Sequence, residues 1–143
     1  QDFSIGVPDA KVQIIEYASF TCPHCARFHE EVFGKLKADY IDTGKVRFTY
    51  REVYFDRYGL WAAMMARCGG EMRYFGITDI LFSTQGEWAA SDDPAAVVAN
   101  LKKIGRTAGM DDAGEFKKDL HRRWRGRHPD LHHQRRQAFQ HGL

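Results

Sequence analysis

Two short apolar stretches flank a segment with helical periodicity. The stretch VQIIEYASF (Val12–Phe20) is apolar and bounded by polar residues, which is typical of a buried strand. From Cys22 onward apolar residues recur at three- and four-residue steps as far as YIDTGK, where Gly44 turns the chain. The stretch VRFTYREVYF (Val46–Phe55) is rich in β-branched and aromatic residues and predicts a second strand. Strand, helix and strand form a βαβ unit, which favours two parallel strands joined by a right-handed crossover.

Three further segments have the apolar spacing of helices: RYGLWAAMMARCGG, EMRYFGITDILFSTQGEWA and DDPAAVVANLKKIGRTAGM. In the last segment Asp92 or Asp93 can cap the helix, and Pro94 occupies the first turn, where its missing N–H is not needed. Met64 and Met65 are expected in the core. Three consecutive helices after a βαβ unit predict a helical layer inserted into an α/β fold, over about residues 56–112.

Composition and charge divide the chain into two parts. Its 143 residues, 43% hydrophobic and 13% aromatic, can bury one core, which predicts a single folded domain. No stretch approaches the roughly 18 apolar residues that a spanning helix needs, so we expect no membrane insertion. Residues 1–116 carry 13 Lys and Arg against 17 Asp and Glu, whereas residues 117–143 carry 8 against 2 together with five of the seven histidines. We therefore expect a folded domain over residues 1–116 and a basic, His- and Arg-rich tail over residues 117–143 that is disordered.

The sequence SFTCPHCARF places two cysteines three positions apart, where the first strand gives way to the helix. Cys22 falls at the helix N-terminus, where unpaired N–H groups and the positive end of the helix dipole stabilise a thiolate. Pro23 suits the first turn, and His24 can add a positive charge or a donor near the same sulfur. Cys25, one turn later and partly covered, is the expected resolving thiol. A stabilised Cys22 thiolate favours the reduced form and makes the disulfide a strong oxidant of other proteins.

Other uses of the cysteine pair stay open from the residues alone. A purely structural disulfide fits the spacing, and so does half of a zinc site, although zinc needs two further ligands. The spaced candidates for these ligands are His24, His29 and the adjacent His132 and His133 of the tail, and none forms a second Cys-x-x-Cys-like pair, so no metal is expected. His29 is expected to be an exposed helix residue. Cys68 is expected to be a small buried residue at a helix end, with a redox role as the alternative.

The run VQIIEYASFTCPHCARFHEEVF resembles the active-site strand and helix of DsbA-type thiol–disulfide oxidoreductases, which are thioredoxin-fold proteins of bacterial envelopes. Pro-His between the cysteines is the DsbA dipeptide, whereas thioredoxins typically carry Gly-Pro and protein disulfide isomerases Gly-His. The resemblance continues to about residue 112. It implies a thioredoxin-like fold with an inserted helical layer, Cys22 as the nucleophile, Cys25 as the resolving cysteine, and Pro23 and His24 as residues that tune the pair.

The resemblance also implies an activity and a location. The Cys22–Cys25 disulfide would be donated to reduced or unfolded secreted proteins, and a membrane or soluble redox partner would reoxidise it without a cofactor. An oxidising pair works outside the cytosol, so we expect a periplasmic protein, although this sequence contains no signal peptide. Glu16 resembles an acidic residue that some family members keep in the same strand. The alternatives are a catalytically impaired thioredoxin-fold remnant, or a protein that binds zinc or nucleic acid through the cysteines and the basic tail.

The end of the sequence departs from the family. The resemblance calls for a Thr-Pro-Thr-Phe loop, whose cis-proline packs beside the cysteines, followed by a strand hairpin. The last 30 residues, GEFKKDLHRRWRGRHPDLHHQRRQAFQHGL, contain no such stretch, and Pro129 between His128 and Asp130 does not match that proline. We therefore expect the C-terminal strand hairpin to be missing, which would uncover one side of the Cys22–Cys25 site.

We hypothesise that the tail, from a point between about Lys117 and Arg127, is a frame-shifted translation of the usual family ending. Permissible codons for HPDLHHQRRQAFQHG, read one base later, encode TPTFIINGDKPFNM, which resembles the missing segment. We predict that sequencing the encoding DNA will show these codons. Codons that cannot yield Thr-Pro-Thr-Phe in the neighbouring frame would contradict the hypothesis.

Overall fold

A computed structural model describes residues 1–110, and the elements below belong to that part of the chain. The expectations for residues 111–143, including the disordered tail and the missing hairpin, lie outside the described residues. Within residues 1–110 the chain forms a three-stranded sheet with helices packed on it. The predicted α/β architecture with an inserted helical layer is confirmed.

The sheet contains three strands, β1 (Phe3–Ile5), β2 (Val12–Ala18) and β3 (Val46–Glu52), in the order β1-β3-β2. The strands β2 and β3 are parallel, with Val12 beside Val46 and Ala18 beside Glu52, as the βαβ prediction requires. The first strand was not predicted, because three residues are too few for a period-two pattern, and it pairs with β3 in the antiparallel sense.

One continuous helical run joins β2 to β3, but it is not a uniform α-helix. Two π-helical turns, His29–Phe33 and Lys37–Ile41, interrupt it. A π-turn holds one more residue than an α-turn and rotates the residues that follow it around the axis. The run ends at Ile41, and the turn that follows contains Gly44, whose φ of 79° is the left-handed conformation that glycine adopts without strain. The helices of the described chain are α1 (Pro23–Phe28), α2 (Gly34–Leu36), α3 (Arg57–Cys68), α4 (Gly70–Ser83), α5 (Gln85–Trp88) and α6 (Pro94–Thr107).

The inserted helices α3 to α6 form the expected layer, in which α3 contacts α4 and α6. Asp93 caps α6, since its carboxylate accepts a hydrogen bond of 3.0 Å from the backbone N–H of Ala95, and Pro94 occupies the first turn as predicted. Met64 and Met65 are buried, which confirms their place in the core. The expectation for Cys68 was wrong in part: it does end α3, but its side chain is exposed.

Aromatic side chains fill the space between the sheet and the helical layer. Tyr50 of β3 lies at its centre, fully buried, and its hydroxyl donates a hydrogen bond of 3.2 Å to the carbonyl oxygen of Ala18. Such rings bury a large apolar area and hold the two layers at a fixed separation. The other large aromatic rings in this core belong to Phe3, Phe20, Phe33, Phe48, Tyr74, Phe82 and Trp88.

A buried ion pair fastens the helical layer to the sheet. The Glu52 carboxylate, at the end of β3, is 2% exposed. Arg67 of α3 donates two hydrogen bonds to it, of 2.6 and 2.9 Å, and the Tyr74 hydroxyl of α4 donates a third of 2.7 Å. Three elements therefore meet at one carboxylate, and its removal would leave the partly exposed Arg67 guanidinium without its counter-charge.

We predict that Glu52→Ala lowers the free energy of unfolding by about 2 kcal/mol, because it leaves the partly exposed Arg67 guanidinium without its counter-charge and removes the acceptor of the Tyr74 hydroxyl. Urea denaturation at neutral pH measures the change. The matched control is Asp42→Asn, which breaks the half-exposed pair with Lys37 and should cost at most about 0.5 kcal/mol. Equal losses in the two variants would show that the Glu52 pair does not fasten the layers.

Candidate active site

The turn before α1 determines the position of the first cysteine. The backbone N–H of Cys22 donates a hydrogen bond of 3.0 Å to the carbonyl oxygen of Ser19, and its own carbonyl accepts one of 3.1 Å from Ala26. Cys22 thereby caps α1 in an extended conformation, with φ of −83° and ψ of 117°. Pro23 occupies the first helical position, where it has no N–H to satisfy. The structure therefore places Cys22 at the helix N-terminus, where the sequence predicted it.

The environment of the Cys22 sulfur favours its ionised form. Burial raises the pKa of this thiol, but three hydrogen bonds to the sulfur outweigh it, so that the pKa lies below its ordinary value. The donors are the Cys25 thiol and the backbone N–H groups of Cys25 and His24. The two backbone N–H groups are among those that a helix N-terminus leaves unpaired, which is why a thiolate is stabilised there.

The second thiol has the opposite environment. Burial raises the pKa of Cys25 to about 11, and the hydrogen bond that it donates to Cys22 and the nearby negative charge of Glu16 act in the same direction. A backbone hydrogen bond at Ser19 opposes the shift without reversing it. Both cysteines are half-buried. Cys22 is therefore the thiol that ionises more readily, and Cys25 is the thiol that stays protonated.

Pro23 and His24 lie on the solvent side of the motif, and both are exposed. The backbone N–H of His24 donates a hydrogen bond to the Cys22 sulfur, so this residue supplies a donor near the sulfur through its backbone. The structure brings Cys22, Pro23, His24 and Cys25 together at one helix start. Their roles in a reaction stay predictions at this point.

One residue of the helical layer braces the motif and was not predicted from the sequence. The side-chain amide of Gln85, at the start of α5, donates hydrogen bonds of 2.7 Å to the carbonyl oxygen of Phe20 and 3.1 Å to that of Cys22. Gln85 is 65 positions from Phe20 and 63 from Cys22 in the sequence. No local pattern marks such a residue.

A second brace joins the motif to the start of α3. The Thr21 hydroxyl donates a hydrogen bond of 2.6 Å to Asp56, whose carboxylate also caps α3 by accepting one of 2.8 Å from the N–H of Gly59. A Cβ at Gly59 would lie 2.9 Å from the Ser19 hydroxyl oxygen, so only glycine lets α3 approach the motif this closely. Gln85 of α5 and Asp56 at the start of α3 therefore both bind the turn that precedes α1 and connect it to the helical layer.

The expectation that His29 is exposed was wrong. Its side chain is 4% exposed, and its Nε2 lies 3.0 Å from Oε2 of Glu16, whose side chain is 14% exposed. The available signal was the four-residue spacing of Cys25, His29 and Phe33, which indicates a common helix face; Phe33 is buried, whereas the neighbouring Val32 is exposed. Glu16 and His29 thus form a buried polar pair beneath the cysteines, and Glu16 acts on Cys25 through its charge.

Two further features of the described residues concern metal ions and membranes. Among residues 1–110, no cluster of three or more His, Cys, Asp or Glu side chains is placed to hold a metal ion. None of the helices in the same residues is long and apolar enough to cross a membrane. The tail histidines His132 and His133, named above as zinc-ligand candidates, lie outside the described residues.

The sequence and the fold of the chain resemble those of known proteins. A family model described as thioredoxin matches residues 1–127. A Rickettsia bellii protein named "Putative protein-disulfide oxidoreductase" is 35% identical over 105 residues, which cover 73% of this chain and 40% of that protein. A Bacillus cereus protein named "Probable disulfide bond formation protein D" is 30% identical over 129 residues, which cover 82% of this chain and 56% of that protein.

Solved structures agree with these sequence relatives. A variant of alpha-DsbA1 from Wolbachia pipientis superposes with a TM-score of 0.75 at 34% identity, covering 82% of this chain and 58% of that one. BdbD from Bacillus subtilis superposes with a TM-score of 0.74 at 21% identity, which indicates a shared fold. The chain spans about two fifths of the length of the Rickettsia relative and less than two thirds of the alpha-DsbA1 chain.

We predict that the two thiols of the reduced chain react with iodoacetamide in different pH ranges. Cys22 should be alkylated well below the pH at which free cysteine reacts, because its thiolate is stabilised, whereas Cys25 should need a pH that approaches 11. Peptide-resolved mass spectrometry over a pH series measures the two curves separately. Overlapping curves for Cys22 and Cys25 would contradict the asymmetry on which the site depends.

Proposed function

The chain belongs to the thioredoxin family, with DsbA proteins as its relatives of known structure, and on this premise we propose that it is a thiol–disulfide oxidoreductase that donates its Cys22–Cys25 disulfide to reduced secreted proteins. The observation that carries the proposal is the asymmetry of the two thiols at the start of α1. The pKa of Cys22 is lowered and that of Cys25 is raised to about 11. A structural disulfide or a metal site does not require two cysteines whose pKa values differ in this way.

The reaction begins with the oxidised chain. A substrate thiolate attacks the Cys22 sulfur, a mixed disulfide forms, and the Cys22–Cys25 bond breaks. The electron pair of that bond leaves with the Cys25 sulfur, which takes up a proton because its raised pKa favours the thiol. Cys22, next to the exposed Pro23 and His24, is the sulfur that a substrate reaches.

The second step releases the product. Another thiolate of the substrate attacks the substrate sulfur of the mixed disulfide, and Cys22 leaves as a thiolate. The hydrogen bonds from Cys25 and from the two backbone N–H groups stabilise this leaving group. Two substrate thiols have then become one disulfide, and the cysteine pair has gained two electrons.

The lowered pKa of Cys22 also determines the direction of transfer. A stabilised thiolate stabilises the reduced pair, so the disulfide form is the stronger oxidant. Pro23 and His24 would act on this balance, His24 through its backbone N–H and Pro23 by fixing the first turn. We propose a membrane or soluble protein as the partner that removes the two electrons, and the periplasm as the compartment, since a donor of disulfides works where thiols are not kept reduced.

We predict that the oxidised full chain restores disulfides in a reduced, unfolded test protein such as reduced ribonuclease A, and that Cys22→Ser removes this activity. Without the Cys22 sulfur no mixed disulfide forms, so the rate should fall to that of a reaction without the chain. The regain of ribonuclease activity over time measures the rate. The matched control is Cys68→Ser, the same substitution at the exposed cysteine that ends α3, which should leave the rate unchanged.

Two outcomes contradict the proposal. Activity that survives in Cys22→Ser would show that this cysteine is not the nucleophile. An oxidised wild-type chain that transfers no disulfide to the test protein would favour the catalytically impaired alternative.

A further inference from the structure

The outer edge of β2 has no strand beside it among residues 1–110. In the order β1-β3-β2, the strand β3 is paired on both sides, whereas β2 is paired on one side only. The opposite edge of the sheet is formed by β1, which has 3 residues, whereas β2 has 7. An unpaired strand of this length presents a row of backbone N–H and C=O groups that another strand can bind.

The pairing of β2 with β3 shows which of its backbone groups point outward. The carbonyl oxygen of Ala18 accepts a hydrogen bond of 2.9 Å from the N–H of Val53, so the backbone groups of Ala18 point towards β3. Along a strand the backbone groups of successive residues point to opposite edges. Gln13, Ile15 and Tyr17 therefore direct their N–H and C=O groups to the outer edge.

The sequence of β2 contains no device that blocks pairing at this edge. Natural edge strands are protected by Lys, by Pro, by a β-bulge or by a charge that pairing would bury. VQIIEYA has no Lys and no Pro, and its register with β3 runs from Val12 to Ala18 without a bulge. Its one charged side chain, Glu16, is already only 14% exposed and contacts His29, so pairing would bury little more of it.

The solvent face of β2 is apolar as well. Ile15 is 45% exposed and Tyr17 is 62% exposed, and both lie on the face opposite to Glu16. Parallel strands such as β2 and β3 are usually covered on both faces. The edge and this face therefore both favour an occupant that adds a strand together with apolar side chains.

This chain offers two occupants, its own residues 117–143 and a second copy of β2. Residues 117–143 carry 8 Lys and Arg against 2 Asp and Glu and contain no run of alternating apolar residues. On the neighbouring strand the register places Arg47 beside Gln13 and Arg51 beside Tyr17, so a basic segment meets like charges there. A second β2 brings apolar side chains and one carboxylate that already has its own His29. Pattern and charge therefore both favour the second copy.

We propose that two copies of this chain associate through the outer edges of β2, which pair in the antiparallel sense with Ile15 opposite Ile15. Gln13 of each copy then lies opposite Tyr17 of the other. The outward groups of these residues form about six hydrogen bonds, because opposed residues in an antiparallel pair exchange both N–H···O bonds. Each Glu16 faces Ile14 of the other copy, so no two charges are directly opposed.

The two copies are related by a two-fold axis that passes between the paired Ile15 residues, as in the commonest homodimers. At its C-terminal end β2 leads into the turn that carries Cys22. Since the paired strands run in opposite directions, the two cysteine pairs lie at opposite ends of the joined strands. The inference goes beyond the proposed function and does not depend on it.

The experiment measures association of the full chain by sedimentation equilibrium, with a reductant present to exclude disulfide-linked dimers. We expect a reversible dimer. Ile15→Lys should raise its dissociation constant by about tenfold or more, because two like charges then lie directly opposite each other in place of two apolar side chains. The matched control is Met72→Lys, the same new charge at a fully exposed position of α4, which should leave the dissociation constant within about twofold.

A second variant tests the register and guards against loss of folding. Ile15→Glu alone should also be monomeric, whereas an equal mixture of Ile15→Glu and Ile15→Lys should form dimers, because Lys then lies opposite Glu across the axis. Circular dichroism checks that each variant is folded. Hydrogen exchange measured by NMR should show that the amides of Gln13, Ile15 and Tyr17 are protected at high protein concentration and exchange faster on dilution.

Four results overturn the proposal. The first is a wild-type chain that stays monomeric up to about 100 µM, well above the µM constants of weak interfaces. The second is an Ile15→Lys chain that dimerises as tightly as the wild type or no more weakly than Met72→Lys. The third is a mixture of the two folded Ile15 variants that does not associate. The fourth is protection of the three amides that does not change with concentration, which would show that another segment of the same chain covers the edge.

Discussion

The structure depends on one turn of backbone between β2 and α1. Three residues of that turn are fixed by hydrogen bonds: Cys22 donates to the carbonyl of Ser19, and Gln85 binds the carbonyls of Phe20 and Cys22. Because the turn is rigid, the N–H groups at the start of α1 stay directed at the Cys22 sulfur instead of at water. Preorganised donors of this kind cost no reorganisation when negative charge develops on the atom they face.

The helical layer is therefore more than a cover for the sheet. It supplies Gln85 from α5 and, through the cap of α3, the Asp56 carboxylate that binds Thr21. The layer is itself fastened to β3 by Glu52, Arg67 and Tyr74. Stability and chemistry are linked in this way, since loosening the layer would also release the turn that holds the thiolate.

Much of this architecture could be predicted from the sequence, and the rest could not for identifiable reasons. The parallel strands follow from two apolar stretches, the α6 cap from Asp93 and Pro94, and the position of Cys22 from the change of pattern at that point. Contacts such as the hydrogen bonds of Gln85 to Phe20 and Cys22 join residues far apart in sequence, and no local periodicity predicts them. The π-helical turns are also invisible to a pattern of period 3.6, because one inserted residue moves every following side chain to another face.

His29 illustrates the first difficulty, because its partner Glu16 lies on another element. It begins the first π-helical turn, where its ring reaches Glu16 on β2. The hydrogen bonds around Cys22 favour a thiolate at that sulfur, and the charge of Glu16 disfavours a second thiolate at Cys25. Both effects act on the relative stability of the oxidised and reduced pair, which is an equilibrium property. The oxidising strength of the site therefore depends on a residue of β2 as well as on the start of α1.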